Sequence, residues 1–299
     1  MGFQRKELWK QKQAVDSVMD LMQEGSEVLL ENAERTEIAY LSEFEPEALE
    51  YIKNKGQYNG ISTGYPSIDK LMGSFLPGEL FTIGGDTGHG KSLFAMNIAH
   101  NVYHKYQEPV LMVNLELTRA QAVERFYYMN DDHDYAGIMV QRAPAVKYQD
   151  IDVLMQKAKE AGCILVIIDH LHFFSRSSKD TVSELSRIMK HFKECAVEHN
   201  LPVILLSHVT PTRIMGADGK VKKELKPSLH NFKGSSSIEQ DSDMVGFVWR
   251  PKDEPNQLEF YMRKNRSRPL KGESVTLYQE DWKLKETPWW QTNSLQSGS

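Results

Sequence analysis

The sequence predicts an α/β fold: a mostly parallel central sheet flanked by helices. Three observations carry that prediction. Five short runs, "GELFTIGG", "PVLMVNLE", "CILVIIDH", "LPVILLSH" and "MVGFVWR", are almost continuously apolar. A strand reads that way only when both its faces are buried, because successive side chains point to opposite sides of a sheet. Stretches with helical spacing, among them "SLFAMNIAHNVYHKY" and "VSELSRIMKHFKECAVEHN", separate several of the runs, and strands alternating with helices form parallel pairs. Finally, "LEFYMRKNR" and "ESVTLYQED" read as two strands joined by a turn, an antiparallel edge to the same sheet.

The bulk numbers set the frame. A chain of 299 residues with 40% apolar and 26% charged side chains can bury a core of ordinary size. A formal charge of −5 argues against coating nucleic acid by bulk electrostatics, while leaving room for a local basic channel. The longest apolar runs, such as "ILVIID", are far too short to cross a bilayer, so no membrane partner is expected. The start, "MGFQRKELWKQKQ", lacks the apolar centre of a secretion signal. Cys163 and Cys195 each sit in a core-like segment, which fits a reduced, intracellular (cytoplasmic) setting.

Taken in order, residues 7 to 24 place Leu8, Val15, Val18, Met19 and Met22 on one stripe of a helix that Gly25 ends. A weaker helical stretch, "EPEALEYIKNKG", follows. Together they make an N-terminal helical arm, 1–56. The α/β domain spans 57–284, and 285–299 is a small, polar C-terminal tail.

The chemistry starts at "GGDTGHGKS". Gly85, Asp86, Thr87, Gly88, His89, Gly90, Lys91 and Ser92 follow the pattern G-x-x-x-x-G-K-S, after an apolar strand and before a helix. Glycines let backbone N–H groups turn inward around phosphate oxygens, and the helix N-terminus adds its positive end. Lys91 then reaches the β- and γ-phosphates of ATP or another NTP, and Ser92 offers a hydroxyl to Mg2+. Asp169 ends the strand "ILVIID", which suits a second metal-holding group, the Walker B carboxylate. Glu116 ends "VLMVNLE", where a carboxylate can orient and deprotonate an attacking water. His208 ends "LPVILLSH" and reads either as a γ-phosphate sensor or as a capped core residue.

These blocks carry a family resemblance. "STGYPSIDKLMGSFLPGEL" leads into the phosphate loop as in the RecA-like ATPases, and "VNLELTRAQAVERF" resembles the segment bearing the catalytic Glu of DnaB-like replicative helicases. "KGSSSIEQDSDMVGFVWR" is similar to that family's DNA-binding loop with its following Gln and Arg, and "RKNRSRPLKGESVTLYQED" to its last hairpin. The blocks stand in the family's order between Ile61 and Trp282. One departure is His208, where the family often has Gln. A His there is similar to the helicase halves of phage primase–helicases and of the mitochondrial helicase Twinkle.

The resemblance implies an ATP-dependent DNA helicase, with Mg2+, working as a homo-hexameric ring on single-stranded and forked duplex DNA. It implies that Lys233, Gly234, Ser235 and Ser236 contact the DNA, and that Gln240 and Arg250 lie around the nucleotide. The segment before Ile61 is too short for a primase, so a separate primase and polymerase are expected. Asp241 and Asp243 are expected to order the loop rather than bind metal. Two rivals are a RecA-fold DNA-dependent ATPase without unwinding, such as a recombinase or regulatory ATPase, and an ATP-switched loader or adaptor.

Two basic stretches remain. The segment from Val209 to Ser237 reads as a long loop, in which Lys220, Lys222, Lys223 and Lys226 add channel charge or stand as solvated lysines. In "MRKNRSRPLKG", strand periodicity predicts Met262, Lys264 and Arg266 on one face and Arg263 and Asn265 on the other. The resemblance assigns Lys264 and Arg266 to the ATP of the adjacent subunit, a role that suits an ammonium and a planar guanidinium. Arg263, Arg268 and Lys271 are expected to be solvated charges.

Overall fold

The computed structural model describes residues 40–45, 60–129, 133–141, 146–174, 181–210, 212–215, 221–232, 235–270 and 272–286. The chain divides into two compact units, Met1–Tyr58 and Asn59–Ser299. Of the first, the described part is one short 3-10 turn, Leu41–Phe44. The predicted helix at 7–24 and almost all of the one at 45–56 lie outside the described residues.

The second unit opens with "STGYPSID". Pro66 begins helix α1 (Pro66–Met72), where its fixed φ suits the first turn and its missing N–H is no loss. Asp69, in that turn, accepts hydrogen bonds from the Ser62 hydroxyl at 2.5 Å and from the Thr63 amide and hydroxyl at 2.8 Å each. This is why small hydroxyl residues precede the helix: they tie the chain down just before β1 (Leu80–Gly85).

From β1 the chain passes through α2 (Lys91–Tyr106), β2 (Val110–Asn114), α3 (Arg119–Tyr127), β3 (Ile138–Val140), α4 (Asp150–Glu160), β4 (Leu165–Asp169), α5 (Thr181–Glu198) and β5 (Val203–His208). A hairpin, β6 (Arg213–Met215) and β7 (Val221–Glu224), precedes α6 (Ser235–Asp241) and β8 (Met244–Trp249). Then come β9 (Gln257–Asn265), β10 (Ser274–Glu280) and β11 (Lys283–Lys285). The nine-stranded sheet runs β11-β10-β9-β8-β1-β5-β4-β2-β3. Strands β8, β1, β5, β4, β2 and β3 pair in parallel, and β9, β10 and β11 are the antiparallel edge.

The apolar runs are explained by the two cores. Along β4, Leu165 and Ile167 pack into the layer holding Phe94 and Ile98 of α2, while Val166 and Ile168 pack into the layer holding Met155 of α4 and Phe192 of α5. Along β5, Ile204 and Leu206 join the first layer and Val203 and Leu205 the second. Every apolar position of these central strands is therefore buried, and alternation disappears from the sequence. Cys163 and Cys195 are both buried and free, and burial pushes their thiols up to about 11 and about 12. Among the described residues no helix is long and apolar enough to cross a membrane.

Two expectations are corrected. The segment from Val209 to Ser237 is not one continuous loop: β6 and β7 pair within it, and an isolated bridge ties Val209 to Phe232. Lys226 is also no free cation, since it pairs with Glu259 and lies over the Trp249 ring at 5.2 Å. The side chains of Lys222 and Lys223, and the whole of Lys220, lie outside the described residues.

The second correction concerns "MRKNR". The β8–β9 register shifts between Val245 and Gly246: Val245 faces Lys264, and Gly246 faces Met262. Arg263 is therefore the extra residue of a bulge, and a bulge turns the residues after it to the other face. Met262 packs with the α1–α2 layer and Asn265 bonds the Met72 carbonyl of α1. Lys264 and Arg266 instead reach the end of α6, and Arg263 lies over the Tyr261 ring at 4.5 Å.

Candidate nucleotide site

The strand ends bring the expected residues together. Gly85, last in β1, is in register with His208, last in β5. Asn114, last in β2, is in register with Asp169, last in β4. All lie at the carboxyl edge of the parallel strands, where open α/β sheets form their ligand crevice.

The loop from Gly85 to Ser92 turns at that edge. Gly88 and Gly90 have φ of +80° and +90°, backbone that a side chain strains, which is why these two positions are glycine. Asp86 holds the turn: its carboxylate accepts from the Thr87 amide at 2.7 Å and its carbonyl from the His89 amide at 3.2 Å. Lys91 opens α2 and is buried. Its ammonium donates to the Asp86 carbonyl at 3.0 Å and to His208 Nδ1 at 3.0 Å. Burial pushes its pKa down to about 8, against the opposing pull of Asp169, Glu116 and Asp86.

Asp169 is 1% exposed. The Ser92 hydroxyl bonds its carboxylate, but burial still pushes its pKa up, and its Oδ1 has no hydrogen-bond partner. A buried oxygen left so calls for a partner. A hard divalent cation takes carboxylate and hydroxyl oxygens, so Ser92 and Asp169 fit Mg2+.

Glu116 is delivered by a turn that Asn114 builds. The Asn114 side-chain oxygen accepts the Glu116 amide at 3.1 Å and the Leu117 amide at 2.9 Å, and Gln141 brackets the Asn114 backbone from both sides. The Glu116 carboxylate meets two imidazoles, His170 Nε2 at 2.8 Å and His208 Nε2 at 3.5 Å. The hydrogen bond from His170, then that from His208, holds this carboxyl well below the usual carboxylate range. Neither Asn114 nor His170 stands out in the sequence. For His170 the available signal is a second polar residue directly after Asp169.

Arg250, just past β8, comes back over the loop. Its amide lies 3.4 Å from His89 Nδ1, and its guanidinium would stand 3.2 Å from a Cβ on Gly90, behind the Leu258 methyl at 2.6 Å. That guanidinium is held by the Pro255 carbonyl and by Gln279 at 2.6 Å, and burial lowers its pKa.

Lys264, Arg266 and Gln240 are elsewhere. With Ser236 and Glu239 they line one surface groove. Lys264 donates to the carbonyls of Glu239, Gln240 and Ser242, and Arg266 to the Gln240 carbonyl, so two cations cap the end of α6, where a helix favours positive charge. Arg266 also meets Asp243 Oδ1 at 3.1 Å. Asp243 Oδ2 accepts from the Leu80 amide at 2.8 Å and from Lys193 at 2.7 Å, which makes Asp243 an anchor for this corner. The groove lies where β8 begins and Arg250 where it ends, so the six residues of β8 separate it from the phosphate loop by roughly 16–20 Å. In one chain, therefore, Gln240, Lys264 and Arg266 do not join the loop.

Lys233 and Gly234 lie outside the described residues. Ser235 begins α6, and Ser236 borders the groove. Phe232 is buried, with its ring 5.1 Å from that of Phe247.

A glycine-rich loop on a parallel sheet, with carboxylates at neighbouring strand ends, defines a RecA-like ATPase fold. The chain belongs to the DnaB-like helicase C terminal domain family, whose profile matches residues 60–132 and 127–285. It is 26% identical over 307 residues to the replicative DNA helicase DnaC of Bacillus subtilis, covering 89% of this chain and 66% of that protein. It is 28% identical over 258 residues to the replicative DNA helicase DnaB of Geobacillus stearothermophilus, covering 74% of this chain and 56% of that protein. The chain spans between about half and two thirds of the length of the curated relatives it matches. Among solved structures, a DnaB-like replicative helicase, solved in a study of its interactions with primase, superposes with a TM-score of 0.64 at 19% identity, over 94% of this chain and 76% of that one. A separately solved ATPase domain superposes with a TM-score of 0.69 at 19% identity, over 84% and 100%.

Proposed function

We propose that this chain is the ATP-hydrolysing motor of a ring-forming replicative DNA helicase, which moves along single-stranded DNA and parts a forked duplex. The observation that carries this reading is the division of the machinery between two ends of one sheet. Lys91, Ser92, Glu116, Asp169 and His208 gather at one end, and Lys264, Arg266 and Gln240 at the other. The two sets can serve one ATP only if neighbouring copies supply one each, as a head-to-tail ring does. Membership of the DnaB-like family supports the same reading, with six copies in the ring.

In this mechanism the amides of residues 85–90 and the Lys91 ammonium bind the β- and γ-phosphates. Ser92 and Asp169 would hold Mg2+, which neutralises charge on the phosphate oxygens. Glu116, kept ionised by His170 and His208, orients the attacking water. His208 stands between Lys91 and Glu116, where it can sense the γ-phosphate. Arg250 covers the loop at Gly90. Lys264 and Arg266 stabilise the transferring phosphoryl group on the adjacent copy's ATP, with Gln240 beside them. Lys233, Gly234, Ser235 and Ser236 contact the DNA backbone, a mode that needs charge and bare amides rather than base reading. The burial of Phe232 supports that mode over base stacking. A primase and a polymerase as partners, in an intracellular compartment, complete the proposal.

The test is a forked duplex with one labelled strand. Strand release should require ATP and Mg2+, and single-stranded DNA should stimulate ATP turnover. Turnover with no release on any fork would favour a RecA-fold ATPase that binds without unwinding, and no turnover at all a switched adaptor.

A further inference from the structure

Glu116, His170 and His208 bring three possible ligand atoms within 4.8 Å of one another. Such a cluster is either a cation site or a carboxylate held by two N–H donors, and the far nitrogens decide between them. His170 Nδ1 lies 3.2 Å from the His172 amide. A backbone amide only donates, so Nδ1 carries the lone pair and Nε2 the proton. His208 Nδ1 lies 3.0 Å from the Lys91 ammonium, which also only donates, so Nε2 again carries the proton. A metal-binding imidazole is wired the other way, with its far N–H given to an acceptor. Both rings are thus arranged as donors to Glu116 Oε1.

We propose that His170 is the positioning residue of the hydrolytic step: its Nε2–H fixes the Glu116 carboxylate at the γ-phosphate side of the site, together with His208. The proposal rests on the reading of Glu116 as the water-orienting carboxylate. The two donors are not equivalent. His208 takes its orientation from Lys91, so a phosphate that engages Lys91 competes for that bond. His170 takes its orientation from its own turn. It is 3% exposed, packs against Phe173 with ring centres 4.6 Å apart and meets the His208 ring at 4.1 Å, nearly edge-on. His170 therefore holds Glu116 whatever Lys91 does, and it is the stronger clamp by distance.

The test is steady-state ATP hydrolysis by the full chain with single-stranded DNA present. His170→Phe keeps the ring volume and removes the N–H. It should lower kcat about 10- to 100-fold, the loss expected for a hydrogen bond to a charged group, with KM for ATP within about 2-fold. His170→Gln restores an N–H donor and should recover most of the loss. If His170→Gln is as impaired as His170→Phe, restoring an N–H donor does not restore the rate and the proposal fails. It fails also if His170→Phe turns over normally while Glu116→Gln is inactive. If Glu116→Gln itself turns over normally, the reading of Glu116 falls first. Titration with Zn2+ alone should give no binding that His170→Phe abolishes; stoichiometric binding lost in that variant would make the cluster a cation site.

Discussion

The two ends of the central sheet are built on different plans. At the carboxyl end, each group already touches the next: Asp86 holds Lys91, Lys91 orients His208, and His208 and His170 hold Glu116. At the other end, Lys264 and Arg266 rest on the carbonyls that finish α6 and on Asp243. The difference teaches that the groups at one end already interlock through their side chains, while the two cations at the other are held by the backbone of α6 and by Asp243. Using them on a neighbour's nucleotide means taking two cations off the end of α6, the helix that Ser235 and Ser236 begin. That links the proposed hydrolysis at one interface to the proposed DNA-contacting segment.

The largest effect should come from the interlocked end. Lys91→Ala removes the side chain that orients His208 and is proposed to reach phosphate, and ATP turnover should fall by about 100- to 1,000-fold, the scale of losing a principal electrostatic contact. Next, Asp243→Ala should loosen the end of the sheet where β1 and β8 begin. It strips partners from the Leu80 amide, Lys193 and Arg266, and breaking a partly buried pair of this kind should cost about 3 kcal/mol, read as a lower denaturation midpoint in urea.

A pH profile separates the ends more gently. Burial sets the Lys91 pKa near 8, lower than that of a free lysine, so its charge is lost as pH rises through about 8. Since kcat/KM reports groups of the free enzyme, kcat/KM for ATP should decline above pH 8. Turnover at saturating ATP should hold further, because bound phosphate favours the ammonium. Equal decline of both would remove Lys91 as the cause. The smallest effect belongs to Lys226→Ala. That lysine is already paired with Glu259 and half exposed, so stability should change by less than about 1 kcal/mol and DNA affinity not at all in a filter-binding assay.

Much of this was legible because it depends on local pattern. Strands buried on both faces announce themselves as apolar runs, and a polar residue ending each run marks the carboxyl edge; Asp169 and His208 are read off directly, and Glu116 two residues past Asn114. What escaped depends on contacts distant in sequence. The short edge strand β3 is apolar throughout, Ile138, Met139 and Val140, but three half-exposed residues are too few to stand out as a run. The bulge at Arg263 exists because Val245 and Gly246 lie opposite, and no periodicity within β9 reveals it. It moved Met262 to the other face from Lys264 and left Lys264 and Arg266 together. His170 looked like a neighbour of Asp169, and only its geometry to Glu116 and to the His172 amide gives it a task. Gln240 and Arg250 flank one strand in sequence, yet the length of that strand puts them at opposite ends of the sheet.

The claim that the nucleotide site is complete only across two copies has one direct measurement. Lys91→Ala protein lacks the loop cation and keeps Lys264 and Arg266; Arg266→Ala protein has the reverse. Each alone should be inactive in ATP hydrolysis while Arg266→Ala still binds nucleotide. Mixed in equal amounts and allowed to assemble, they should form intact sites at about a quarter of head-to-tail interfaces, and turnover should return in part. A mixture as inactive as its components, with subunit exchange verified, would contradict the account.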